Sequence, residues 1–183
     1  MAFLIKAIFL STLIATIWAD AHIFLKFIYF ENPLGVDMRK ECCDHSIGKL
    51  FCKEKGCDHM FTICMDKRSE SDCTLGRIQT AAIIDQDATI FGDKVANLSN
   101  PMRFHINGPL PSVVDMSVRV VDDDPEKGRG KHDYIDTLKQ RVEPMPREPK
   151  RFKVTHPERS ELEFEIWAKC LPGWTGTHCE RKA

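Results

Sequence analysis

The sequence predicts an all-β fold, an antiparallel β-sandwich stapled by disulfides. Three observations carry that expectation. Apolar and polar residues alternate with a period of two in several short segments. Turn formers, chiefly Pro, Gly, Asn and Asp, separate those segments. Eight cysteines fall in 183 residues, an even and clustered count. The 26 basic and 27 acidic residues leave a net charge of -1, which gives no ground for expecting a nucleic-acid partner.

The amino terminus sets the compartment. Residues 1–21 begin with a lysine at position 6, continue as an uncharged apolar run over 7–18, and close on Ala19-Asp20-Ala21. Small residues at the first and last of these three positions suit a signal-peptidase site. The run is too short for a hydrocarbon core of about 30 Å, which needs about 20 residues. Residues 1–21 are therefore expected to be a signal peptide whose removal leaves His22 first, on a chain that is secreted. The competing reading is an apolar first helix of a cytosolic protein. No second apolar run reaches spanning length, and the polar carboxyl end lacks the pattern of a GPI signal.

Residues 22–30 (HIFLKFIYF) have β composition and run into the turn signal Asn32-Pro33-Leu34-Gly35, so they are expected to form the first buried strand. Residues 81–84 and 88–91 are short apolar pieces between Asp-rich turns. In 101–106, Met102, Phe104 and Ile106 alternate with Arg103 and His105. In 113–121, Val114, Met116, Val118 and Val120 share one face, with Asp115, Ser117 and Arg119 opposite. Leu162, Phe164 and Ile166 alternate with Glu163 and Glu165. One helix is expected: Tyr134, Ile135, Leu138 and Val142 follow a spacing near 3.6, with Asp133 as cap and Pro144 beyond the end. The proline-rich, charged stretch 143–161 is expected to be an extended excursion outside the packed fold.

The cysteines form two groups. Cys42, Cys43, Cys52, Cys57, Cys64 and Cys73 lie near the front, and Cys170 and Cys179 close the chain. Mixtures such as Cys57-Asp58-His59 raise the question of zinc, but the spacings match no paired-knuckle template. A secretory route favours disulfides. Six front cysteines allow 15 pairings, which sequence leaves open, although adjacent Cys42 and Cys43 are expected to take different partners. Cys170 and Cys179, far from the rest, are expected to bond each other. Between them Gly173, Trp174 and Gly176 give the spacing of the closing loop of an EGF-like module, without the four further cysteines that such a module needs upstream.

Taken in order, these segments resemble the amino-terminal region of the Delta/Serrate/Jagged (DSL) family of Notch ligands. The resemblance rests on the strand over 24–30 with its Asn32–Gly35 turn, the vicinal Cys42-Cys43, the aromatic strand from Cys57 through Phe61 to Cys64, and Cys73 with Gly76. It continues through Asn100-Pro101-Met102-Arg103-Phe104, the proline-led strand after Pro111-Ser112, and the strand from Phe164 to Cys170 with the same eight-residue gap to the next cysteine. The resemblance implies a C2-like β-sandwich over 22–161, followed by a truncated DSL/EGF-like segment over 162–183. It implies contact with the EGF repeats of a Notch receptor, and hence a part in cell-cell communication and development. It also raises membrane phospholipid head groups as partners, since some family members touch lipid through C2 loops, in some cases with calcium. The chain departs from the family pattern in carrying two of the six DSL cysteines, and Gly173-Trp174-Thr175-Gly176 stands where the family has Tyr-Tyr-Gly. Such a chain, without the family's anchor, is expected to modulate signalling rather than pull on a receptor.

The candidate sites follow. Trp174 is the receptor-binding candidate, because its large amphipathic face sits in the closing loop. Asn97 opens an Asn-Leu-Ser sequon and is the glycosylation candidate. Asp122, Asp123 and Asp124, with Asp37 from a neighbouring loop, are calcium candidates, since this hard cation needs several oxygen ligands. A solvated turn is the plainer reading of the three. Arg147, Lys150, Arg151 and Lys153 form a basic run that reads as a solvated loop or an anion-binding surface. No hydrolase, zinc-protease or phosphate-loop motif occurs, so the chain is expected not to be an enzyme and to need no cofactor other than, in one reading, calcium.

Overall fold

The computed structural model describes residues 19–43, 56–67, 72–123, 132–157 and 159–183. Cys52, Asp124 and residues 1–18 of the expected leader lie outside them.

Two antiparallel sheets enclose one apolar core. The first is built on β1 (Asp20–Glu31). One edge of β1 pairs along its length with β11 (Ser160–Cys170), which pairs in turn with β10 (Lys150–His156). The other edge is shared by β7 (Met102–Asn107), opposite residues 20–25, and β4 (Ala88–Ile90), opposite residues 29–31. The second sheet runs in the order β3 (Gly76–Gln79), β2 (His59–Asp66), β8 (Val114–Asp122) and β9 (Asp133–Val142). Two small hairpins complete the fold: β5 (Lys94–Val95) with β6 (Leu98–Ser99), and β12 (Trp174–Thr175) with β13 (Arg181–Lys182).

The alternation explains the layering. Ile23, Leu25 and Phe27 of β1 and Leu162, Phe164 and Ile166 of β11 point inward from the first sheet. Phe61, Ile63, Val118 and Val120 meet them from the second. Phe61 packs edge-on against both Phe27 and Phe30, with ring centroids 5.6 and 5.0 Å apart. Burying each such side chain contributes roughly 1.5–3 kcal/mol.

Three expectations are corrected. Residues 133–142 are strand β9, with no helix. The register on β8 slips between Val120 and Val121, so β9 carries one extra residue, Ile135. That bulge places Ile135 and Asp136 both inside, and buried Leu138 and Val142 then follow at spacings that imitate a helix. Asp133 caps nothing; it pairs in register with Asp122 and bonds Arg39. The stretch 143–161 is not an excursion, because residues 150–156 form β10. Phe152 stacks on Phe164 at 5.5 Å, and Phe152 and Val154 pack on the core while the charged residues between them face out. Residues 81–84 form no strand; only Ile83 bridges to His59.

Both expected domain edges also fall inside strands. β1 begins at Asp20, one residue before the expected end of the leader, and β11 crosses residue 161 and runs to Cys170. One polar clasp joins the sheets. Buried Asp136 of β9 accepts hydrogen bonds from the Ser160 hydroxyl and from His156 Nδ1, the latter at 2.7 Å.

Candidate functional site

The carboxyl-terminal loop is a structured unit docked on one end of the sandwich. Cys170 and Cys179 are bonded to each other, and β12 and β13 form a hairpin around that bridge. Gly173 and Gly176 have φ of 87° and 93°, the left-handed region that glycine tolerates. At Gly176 it is this backbone conformation that favours glycine, since a Cβ there would meet only the mobile end of the Glu180 side chain.

Three attachments fix the loop. The Leu171 N–H donates to the Asp20 carbonyl at 3.1 Å, extending the β1–β11 pairing. The Leu110 N–H donates to the His178 carbonyl at 2.8 Å, while His178 Nδ1 lies 2.7 Å from the Leu110 carbonyl, a reciprocal pair. The Arg147 guanidinium reaches both bridge sulfurs, at 2.7 Å to Cys170 and 3.3 Å to Cys179, and also donates to the Gly176 carbonyl at 3.3 Å. Trp174 is half-buried against the core, and with Arg147, Glu148, Lys169 and Thr175 it borders an open depression of about 400 Å³. An aromatic face, a guanidinium and an ammonium on a braced loop suit protein recognition, because little order has to be gained on binding.

The opposite end gathers the loops. Cys43 bonds Cys57, so the vicinal pair is split; Cys42 is also disulfide-bonded. Cys64 bonds Cys73 at the other end of β2, across the turn to β3, where Asp66 pairs in register with Asp115. Within that turn Asp66 accepts from the Thr74 N–H, the Thr74 hydroxyl and the Cys73 N–H. Burial alone would raise the Asp66 pKa, but these hydrogen bonds outweigh it and hold the carboxyl below its ordinary value.

The calcium candidates are placed as follows. Asp37 is buried and closes its own loop, accepting from the Arg39 and Glu41 N–H groups at 2.8 and 2.9 Å and pairing with Arg39 Nε at 3.2 Å. Asp122 is buried and accepts the Asp58 N–H at 2.8 Å. Asp123 pairs with His132 at 2.8 Å. Among the described residues these three do not converge on a point within ligating distance; the one group of three potential metal ligands that does is Cys57, His59 and Asp87. Cys57 is locked in a disulfide and offers no thiolate. His59 is buried against Phe30 at a centroid distance of 4.8 Å.

Asn97 lies exposed in the turn between β5 and β6, and its Oδ1 accepts the Ala81 N–H at 2.8 Å. The basic run does not form a free cationic surface. Arg151 pairs with Glu163, Lys153 with Glu161 at 2.6 Å, Lys150 lies over the Phe152 ring, and Arg147 serves the loop. Sequence reasoning placed Arg147 only in the basic run and missed Leu110 and His178, because no spacing links the three; only the fold brings them to the bridge.

The family model described as the N terminus of Notch ligand C2-like domain matches residues 22–168. Among solved structures, Drosophila C2-DSL-EGF1 superposes with a TM-score of 0.70 at 21% identity, over 88% of this chain and 73% of that one. A C2 domain protein from Ramazzottius varieornatus gives 0.58 at 14% identity, over 85% and 91%. Human GIVD cytosolic phospholipase A2 gives 0.54 at 12% identity, over 84% of this chain but 18% of the enzyme. At these identities the likenesses show the fold alone, and the phospholipase brings no activity with it. Comparison with curated proteins finds no sequence match.

Proposed function

The chain belongs to the Notch ligand family, through the region described as the N terminus of the Notch ligand C2-like domain, and from that premise we propose that it binds the EGF repeats of a Notch receptor outside the cell and modulates Notch signalling. The observation that supports this most is the braced carboxyl-terminal loop, where Trp174, Arg147 and Lys169 surround a shallow depression continuous with the β1–β11 sheet. Trp174 is the anchor in this reading, because large aromatics and arginine dominate interface energies. The processed protein, labelled and applied to cells that display a Notch receptor, is expected to bind them and not cells whose receptor lacks its EGF repeats. Equal binding to both would remove this reading.

A second reading, binding to phospholipid head groups, draws support from the loop end. Leu34, Met38 and Ile84 are 44%, 50% and 57% exposed there, on loops that meet beside Tyr134 and His59. Apolar loop tips of this kind suit insertion at a membrane interface. Asp37, Asp122 and Asp123 belong to the same end, and a calcium requirement belongs with this reading. Liposome flotation with and without calcium tests it; recovery no better than that of a Leu34/Met38→Ser variant would end it.

A further inference from the structure

Among the described strands, β7 hydrogen-bonds only to β1. Across that pair His22 and His105 stand in register on the exposed face, with His22 Nε2 and His105 Nδ1 3.2 Å apart and ring centroids at 5.2 Å. Phe24 meets the His22 ring edge-on at 6.0 Å and limits its swing. Two imidazole nitrogens bound to one ion at about 2.0–2.1 Å are separated by about 2.9 Å at a right angle and about 3.3 Å at a tetrahedral angle. The observed separation falls between these, so turning the two rings outward from their mutual hydrogen bond aims both lone pairs at one point above the sheet.

We propose that His22 and His105 form a surface site for a divalent transition-metal ion, Cu²⁺ in preference to Zn²⁺, that clips β7 to β1. Imidazole suits both ions, and the general affinity order places Cu²⁺ above Zn²⁺. The protein supplies two ligands and water fills the remaining positions. Arg103 on β7 and Lys169 opposite His22 on β11 share that face and keep the affinity moderate. The site is independent of the receptor reading.

The test is titration of the processed protein with Cu²⁺, read by calorimetry, electron paramagnetic resonance and thermal melting, beside His22→Gln and His105→Gln. One ion per chain is expected, with a dissociation constant of about 1–100 μM and hyperfine coupling to two imidazole nitrogens. Each variant is expected to lose at least about tenfold in affinity, or about 1.4 kcal/mol. Saturating Cu²⁺ is expected to raise the melting midpoint of the wild type and of neither variant. Undiminished binding by His105→Gln would overturn the site, because it would assign the ion to a terminal amine or another histidine. A resonance spectrum lacking two imidazole couplings, or no binding below millimolar Cu²⁺, would overturn it without reference to any variant.

Discussion

The carboxamide of Asn100 takes the place of a neighbouring strand for Phe27. Its Oδ1 accepts the Phe27 N–H at 2.9 Å, and its Nδ2 donates to the Phe27 carbonyl at 2.8 Å. This occurs where the free edge of β1 passes from β7 to β4 and the register with β11 slips between Phe27 and Tyr29. A strand edge there would otherwise bury two unpaired backbone groups, a costly arrangement. Nδ2 also donates to the Gly92 carbonyl at 2.7 Å, tying the β4–β5 connection to the same point.

Asn100→Ala should therefore destabilise the fold by about 2–4 kcal/mol, the cost of leaving buried backbone groups unsatisfied. Chemical denaturation of the variant against the wild type measures this. A loss no larger than that of an average surface substitution would show that water fills the gap.

Acid should weaken the protein through His59. Burial depresses its pKa from 6.5 to about 4, with the Gln86 backbone offsetting only part of the effect. The unfolded chain takes up the proton first, so this contribution is full above pH 6.5, falls as pH drops, and is gone below about 4. The span corresponds to about 3 kcal/mol. Melting midpoints between pH 7 and 4 should fall less steeply in His59→Phe, whose apolar ring retains the packing against Phe30. Identical slopes would contradict a neutral, buried His59.

Arg147→Ala should loosen the carboxyl-terminal loop and leave the sandwich intact. The guanidinium makes three contacts with the loop, two of them to the bridge sulfurs. Hydrogen exchange at residues 173–179 should accelerate by about tenfold, equivalent to about 1.4 kcal/mol of local stability, while β2 and β8 keep their protection. Exchange unchanged in the loop would mean that the disulfide and the Leu110–His178 pair suffice.

Asn97 should carry an N-linked glycan when the chain passes through the secretory route, because its turn is exposed. Deglycosylation should then increase the mobility of the wild type on a gel and leave Asn97→Gln unchanged. No shift in the wild type would remove the assignment.

Much of the fold was legible because alternation is a local signal. Val114, Met116, Val118 and Val120 mark the buried face of β8 with no help from the rest of the chain, as Leu162, Phe164 and Ile166 do for β11. β9 was misread because one bulged residue, Ile135, converts a period of two into a spacing near 3.6. β10 was misread because Phe152 and Val154 lie among charges that their partners Glu161 and Glu163 neutralise only across the sheet. At the candidate site, the Cys170–Cys179 bridge and Trp174 stood out by spacing. Arg147 did not, since its role depends on a meeting of segments more than twenty residues apart. Asp122 and Asp123 are adjacent in sequence, yet their side chains part, one to the Asp58 backbone and the other to His132, which only the fold reveals.

The most direct test of the account is the interaction itself. Surface plasmon resonance with immobilised Notch EGF repeats should show saturable binding of the processed protein with a dissociation constant of about 10 μM or tighter, weakened by Trp174→Ala and by Arg147→Ala. No response at tens of micromolar from a folded, fully oxidised sample would contradict receptor binding by this chain.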